Sequence, residues 1–112
     1  MIYHITPENN WHTAQQEGAY RADSLASEGF IHCSTARQVQ RTANRFYRGK
    51  PGLLLLCIND QLVRSKIRYE NLEGGSDLFP HIYGPLNLDA VAQALPFQPQ
   101  ADGTFILPEE VK

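Results

Sequence analysis

The longest apolar run in the chain is Leu53-Leu54-Leu55-Leu56-Cys57-Ile58, and nothing in it alternates with polar residues. A strand with one wet face alternates with a period of two, so an unbroken run of this length predicts a central strand covered on both sides. That requirement calls for material to lay over each face of a sheet. The run is also far shorter than the roughly twenty residues of a membrane-spanning helix, and no membrane partner is expected. With 112 residues, of which 42% are hydrophobic and 20% charged, the chain suits one domain, 1-112, and excludes a disordered or low-complexity scaffold. Met1-Ile2-Tyr3-His4 carries neither a positive segment nor a long apolar one, so no secretory signal is expected. Cys33 and Cys57 lie in apolar runs without C-x-x-C spacing, which predicts buried thiols in a reducing cytoplasm.

The other elements follow from local chemistry. Ile2 to Ile5 reads as a short strand, and Thr6-Pro7-Glu8 as a capped helix start, with the helix running from Pro7 to about Gln16 before Gly18. Tyr20 to Glu28 has no clear period, whereas Gly29 to Cys33 reads as a buried strand. Thr35-Ala36-Arg37-Gln38 matches a capping box, opening a second helix whose apolar face is Val39, Ala43, Phe46 and Tyr47 and whose end is Gly49. Lys66 to Glu70 alternates as a half-wet strand, and a loop spans Glu73 to Asp77. Prolines confine Phe79 to Leu86 to a short or edge strand. Asn87 caps a third predicted helix, with Leu88, Val91 and Leu95 on one face and Pro96 as its stop. A turn at Ala101-Asp102-Gly103 predicts a closing hairpin. This irregular mixture of strands and helices indicates an α+β fold.

Charge is unevenly spread. Arg37 to Arg68 holds eight of the ten basic residues and one acid, Asp60, while the flanks hold eleven acids. Arg37, Arg41, Arg45 and Arg48 recur at i, i+4, i+8 and i+11, a helical spacing that predicts a guanidinium stripe suited to phosphate or an acidic partner. The same arginines could equally form a solvated face, or pair with an acid such as Glu28 or Asp77.

Three of four histidines fall in strand segments: His4, His32 and His81. Alternation sets His32 on one side with Phe30 and Ser34, and His81 with Tyr83, so a polar tip stands beside an aromatic wall in each segment. Imidazoles there serve as hydrogen-bonded core groups, proton carriers or phosphate contacts. No H-x-x-x-H or H-x-E pair brings two metal ligands to one face, and no metal is expected. Glu70 is the acid set among alternating strand residues, whereas Glu28, Glu73, Glu109 and Glu110 read as loop or tail positions.

The segments Tyr3-His4-Ile5, Trp11, Gly29-Phe30-Ile31-His32-Cys33-Ser34, Phe46-Tyr47 and Phe79-Pro80-His81-Ile82-Tyr83-Gly84-Pro85-Leu86 resemble a small bacterial and plant family, domain of unknown function 952. The resemblance implies a split antiparallel or mixed sheet with about three helices, similar to ADP-ribosyltransferases and RNA 2'-phosphotransferases. It implies NAD as a cofactor, with His4 at the adenosine ribose and His32 or Tyr83 lining the pocket. One departure stands out: His81 occupies the strand where a glutamate is wanted, and Glu70 lies on another segment. A phosphate-directed reaction, or binding without turnover, fits those residues better than mono-ADP-ribosyl transfer.

The resulting expectation is a domain that binds a nucleotide-like or phosphorylated ligand in a histidine-lined cleft. Its candidate catalytic residues are His32, His81 and Glu70, and its candidate ligand contacts are His4, Ser34, Tyr83, Arg41 and Arg45. The activity to be tested is an NAD-dependent ADP-ribosyl or phosphate transfer. The rival expectation is a non-enzymatic module that holds RNA or an acidic protein on the arginine helix.

Overall fold

The computed structural model describes residues 1–72 and 74–111; the predicted loop position Glu73 lies outside them. Strand β1 (Ile2–Pro7) leads into α1 (Glu8–Glu17), then β2 (Ala19–Tyr20), α2 (Asp23–Glu28) and β3 (Ile31–His32). After α3 (Val39–Phe46) come β4 (Leu53–Ile58), β5 (Lys66–Glu70), β6 (Phe79–Tyr83), β7 (Leu86–Asn87) and β8 (Val91–Phe97). Every pairing among the described strands is antiparallel. Two three-stranded sheets, β1-β4-β8 and β3-β6-β5, are accompanied by the small β2-β7 ribbon. The fold is α+β, with a split sheet.

The apolar run forms β4, the middle of its sheet, and its two faces serve two cores. Leu56 and Ile58 pack with Ile2, Tyr20, Ile31, Ile82 and Leu86. Leu53, Leu55 and Cys57 pack on the other side with Tyr3, Ile5, Val39, Phe97 and Phe105. Alternation of side chains along the strand sends consecutive residues to opposite cores, which is why both sets had to be apolar.

Among the described residues, a single backbone bridge links the two sheets. Tyr3 and Ser34 exchange both N–H···O bonds, each 2.8 Å long, in an isolated antiparallel bridge.

Several expectations are corrected. The predicted third helix is a one-turn 3₁₀ segment, Leu88–Ala90, followed by β8, which pairs with all of β4. A central strand needs hydrogen-bond partners on both edges, and that tertiary demand overrides the weak helical period of 88–95. Phe79–Tyr83 is no edge strand; it lies between β3 and β5. Pro80 is tolerated because it falls where β3 ends and uses only its carbonyl, which accepts from Cys33 N–H at 3.0 Å. The closing hairpin reduces to a turn: Gly103 N–H donates to Gln100, and Phe105 to Leu107 pair with no strand. The segment left without a period contains α2, which ends at Gly29 in the left-handed conformation, φ 90°.

The helix starts also differ. Thr6 caps nothing, because its hydroxyl faces Tyr20 in the interior. The capping box is half formed, since Gln38 Oε1 accepts from Thr35 N–H at 3.0 Å while the Thr35 hydroxyl makes no cap. Helix α3 consequently begins at Val39 and is eight residues long. Arg37 and Arg48 lie beyond its ends, so the stripe is not continuous. Phe46, predicted on the buried face, is exposed.

Candidate functional site: a histidine cleft between the split sheets

A cleft of about 510 Å³ opens where the two sheets part, within the size range of small-molecule sites. Its lining includes His4, His32, Ser34, Arg41, Arg45, Glu70 and His81. Tyr83 stands behind this lining and reaches it through its contacts with Glu70 and Phe30.

Register brings two of the three strand histidines together. His32 on β3 pairs directly with His81 on β6, and their rings meet edge to face at 5.3 Å between centroids. Phe30 anchors the cluster, stacked on His81 at 4.2 Å and tilted against His32 at 4.7 Å. Phe30 is itself fixed by Ser24 at the start of α2, whose hydroxyl donates to the Phe30 carbonyl at 2.7 Å.

Each of these histidines has a carboxylate partner. Nδ1 of His81 lies 3.0 Å from Glu70 Oε1, and that same oxygen accepts from the Tyr83 hydroxyl. These two hydrogen bonds, Tyr83 first and His81 second, hold the Glu70 carboxyl below its ordinary range, while the bond to Glu70 raises the Tyr83 phenol. The His81 side chain is 6% exposed. Its Nε2 has no protein partner among the described residues, yet no buried polar side-chain atom there is unsatisfied. Nε2 is therefore not sealed from solvent, and His81 lines the cleft. His32 is the open member of the pair, 49% exposed, with Nε2 at 3.0 Å from Glu28 Oε2.

His4 is different in kind. Its ring is buried, with Nδ1 at 2.5 Å from the His32 carbonyl and Nε2 at 2.7 Å from the Tyr20 hydroxyl. Burial pushes its pKa down to about 4, so the ring is neutral near pH 7. A carbonyl only accepts, so Nδ1 carries the hydrogen and Nε2 accepts from Tyr20. Thr6 Oγ1 completes the chain at 2.8 Å from Tyr20. Both nitrogens of His4 are thus engaged inside the protein, and its ring stitches β1 to β3 beneath the cleft. The contact with a ribose that the resemblance implied for this residue would require breaking one of these bonds.

Helix α3 forms the opposite wall. Arg41 and Arg45 lie one turn apart and line the cleft, Arg41 in an ion pair with Asp77 and Arg45 over the Phe46 ring at 5.0 Å. Ser34 is buried, with its hydroxyl 3.5 Å from that of Thr42. Glu28, Tyr20 and Asp77 are site residues missed by sequence reasoning or left among several options. Only Glu28, four residues before His32, carried a local signal. No group of three or more metal-ligating side chains occurs among the described residues.

What this arrangement can do chemically is present one oriented imidazole nitrogen, Nε2 of His81, inside a cleft with an aromatic floor and two guanidinium groups on its wall. The fold has solved relatives. The crystal structure of protein CC0527 from Caulobacter crescentus superimposes with a TM-score of 0.88 at 31% identity, covering 98% of this chain and 96% of that one. Its solution NMR structure gives 0.80 at 32% identity, over 92% and 89% of the two chains. A comparison with curated proteins yields no match. The protein family of unknown function DUF952 matches residues 5–94, which contain His32, His81, Glu70 and the arginine wall, and the chain belongs to that family.

Proposed function

We propose that the cleft binds a nucleotide-like or phosphorylated ligand, with His81 as the residue that meets its reactive or phosphate-bearing part. The observation that carries this reading is the asymmetry of His81: Nδ1 is held by Glu70, while Nε2 is left to the cleft. A carboxylate that fixes one ring nitrogen orients the other, the arrangement used to accept a proton from a nucleophile. The exposed Phe46 offers a face for a base or a nicotinamide ring, and Arg41 and Arg45 offer donors for phosphate. NAD combines those groups in one molecule. NAD, if bound, would supply a glycosidic bond and a pyrophosphate; Arg41 and Arg45 would hold the pyrophosphate, and His81 would take the proton of an acceptor hydroxyl. Glu70 and Tyr83 act as positioning residues in this scheme, and His32 borders the same space.

The rival module that holds RNA or an acidic protein has less support. Its four-arginine stripe shrinks to two helical arginines, one of them already paired.

The test is ligand-linked stability. NAD, ADP-ribose and AMP are added in turn to the parent protein and to His81→Ala, and Tm is read. At a hundredfold excess over Kd, binding stabilises by about 2.7 kcal/mol, so a shift of several degrees is expected for the parent and none for the variant. If no nucleotide moves Tm of the parent, the reading fails.

A further inference from the structure

The arginine wall of the cleft is occupied by the protein's own carboxylate. Arg41 Nη2 holds Asp77 Oδ2 across the cleft mouth, and both side chains are largely exposed, 68% and 52%. Arg45, one turn further on, has no ion pair among the described residues. Two guanidinium groups at i and i+4 share one face of a helix. Carboxylate and phosphate oxygens compete for the same guanidinium donors.

Resting on the ligand reading above, we propose that Arg41 is the anion subsite of the cleft and that Asp77 is a resident competitor, displaced when a phosphate group of the ligand arrives. The carboxylate marks where the phosphate binds, and Arg45 supplies the second guanidinium.

The segment bearing Asp77 is built so that its side chain can leave without the loop unfolding. Asn71 braces it from within: Nδ2 donates to the Asp77 carbonyl at 2.6 Å, and Oδ1 accepts from Gly75 N–H at 3.1 Å. A Cβ at position 75 would meet Asn71 Nδ2 at 3.0 Å, so glycine leaves this brace undisturbed. A separate tie runs from Gln38 Nε2 to the Leu78 carbonyl at 2.8 Å. None of these bonds uses the Asp77 carboxylate, so rotating that side chain away sacrifices the ion pair alone. An exposed pair of this kind is weak enough to be exchanged, and a doubly charged phosphate outcompetes a single carboxylate for two adjacent guanidiniums.

The experiment measures binding of inorganic pyrophosphate by calorimetry at low salt, with ADP-ribose thermal shifts in parallel. Asp77→Asn should tighten pyrophosphate binding about two- to fivefold, the range set by removing an exposed carboxylate partner. Arg41→Ala should abolish binding in both the parent and the Asp77→Asn background. Two controls separate local competition from other causes. Asp102→Asn removes one negative charge from an exposed acid outside the cleft lining, and Gln38→Ala cuts the loop's other tie while leaving the charge unchanged; neither should tighten binding. Equal tightening in either control overturns the proposal, as does full binding by the Arg41→Ala, Asp77→Asn double variant. If ADP-ribose raises Tm of the parent but Asp77→Asn leaves pyrophosphate affinity unchanged, the competitor role falls and the ligand reading stands. If neither probe binds the parent or Asp77→Asn, both fall.

Discussion

His4 illustrates how a residue that reads as a ligand contact becomes a structural one through burial. In the folded chain its pKa is lowered to about 4, against an ordinary value of 6.5, by loss of solvent around the ring. Between those two values the unfolded chain binds a proton that the folded chain refuses, so stability rises with pH across this window. The contribution is complete above pH 6.5 and is lost as pH falls through 4. A displacement of this size corresponds to about 3 kcal/mol at the acid end. Urea midpoints measured from pH 4 to 7 should therefore climb for the parent, and climb less steeply by one proton for His4→Gln. Equal slopes would contradict the neutral buried ring. The sequence disclosed that His4 lay in a strand next to an aromatic residue. It could not disclose Tyr20 or the His32 carbonyl, because both approach from segments far along the chain.

At the level of elements, legibility followed how local the deciding forces were. The run 53–58 declared β4 because burial on both faces is written into consecutive residues. Replacing Leu55, fully buried in the middle of that strand, by Ala should cost about 2–5 kcal/mol, the range for emptying such a site. Chemical denaturation measures it, and a loss below 1 kcal/mol would mean that the core around Phe97 and Phe105 collapses into the space. Residues 91–97 misled because a short apolar segment fits helix and strand alike, and only the open edge of β4 decides between them. Helix α3 fell short of its predicted start because the Thr35 hydroxyl makes no cap, which leaves only the Gln38 half of the box. The alternation that set Phe30 beside His32 was legible. The cross-strand register that adds His81 to them was not, since it depends on how β3 meets β6.

For the molecule as a whole, the two cores flank a shared sheet, and one cysteine belongs to each. Cys33 packs in the core of Ile2 and Leu56, and Cys57 in that of Leu55 and Phe105. Burial raises both thiols, Cys57 up to about 11, so few thiolates are present at neutral pH. A thiol reagent added to native protein should label neither cysteine on the timescale of a free thiol, and both should become reactive together in denaturant. Rapid labelling of either one in native buffer would show that its core is open.

The bridge between Tyr3 and Ser34 gives the molecule the mechanics of a book. Two backbone hydrogen bonds form a spine one residue pair long, with the imidazole of His4 stitched beside it to the His32 carbonyl. Wide ladders resist twisting because successive rungs would have to shear; a spine this short offers little such resistance. The angle between the two pages is therefore set by packing, in which Ile2, Leu56 and Ile58 of one page share a buried core with Ile31 and Ile82 of the other. A molecule entering the gutter would touch both pages at once, at a spacing that this shared core already fixes.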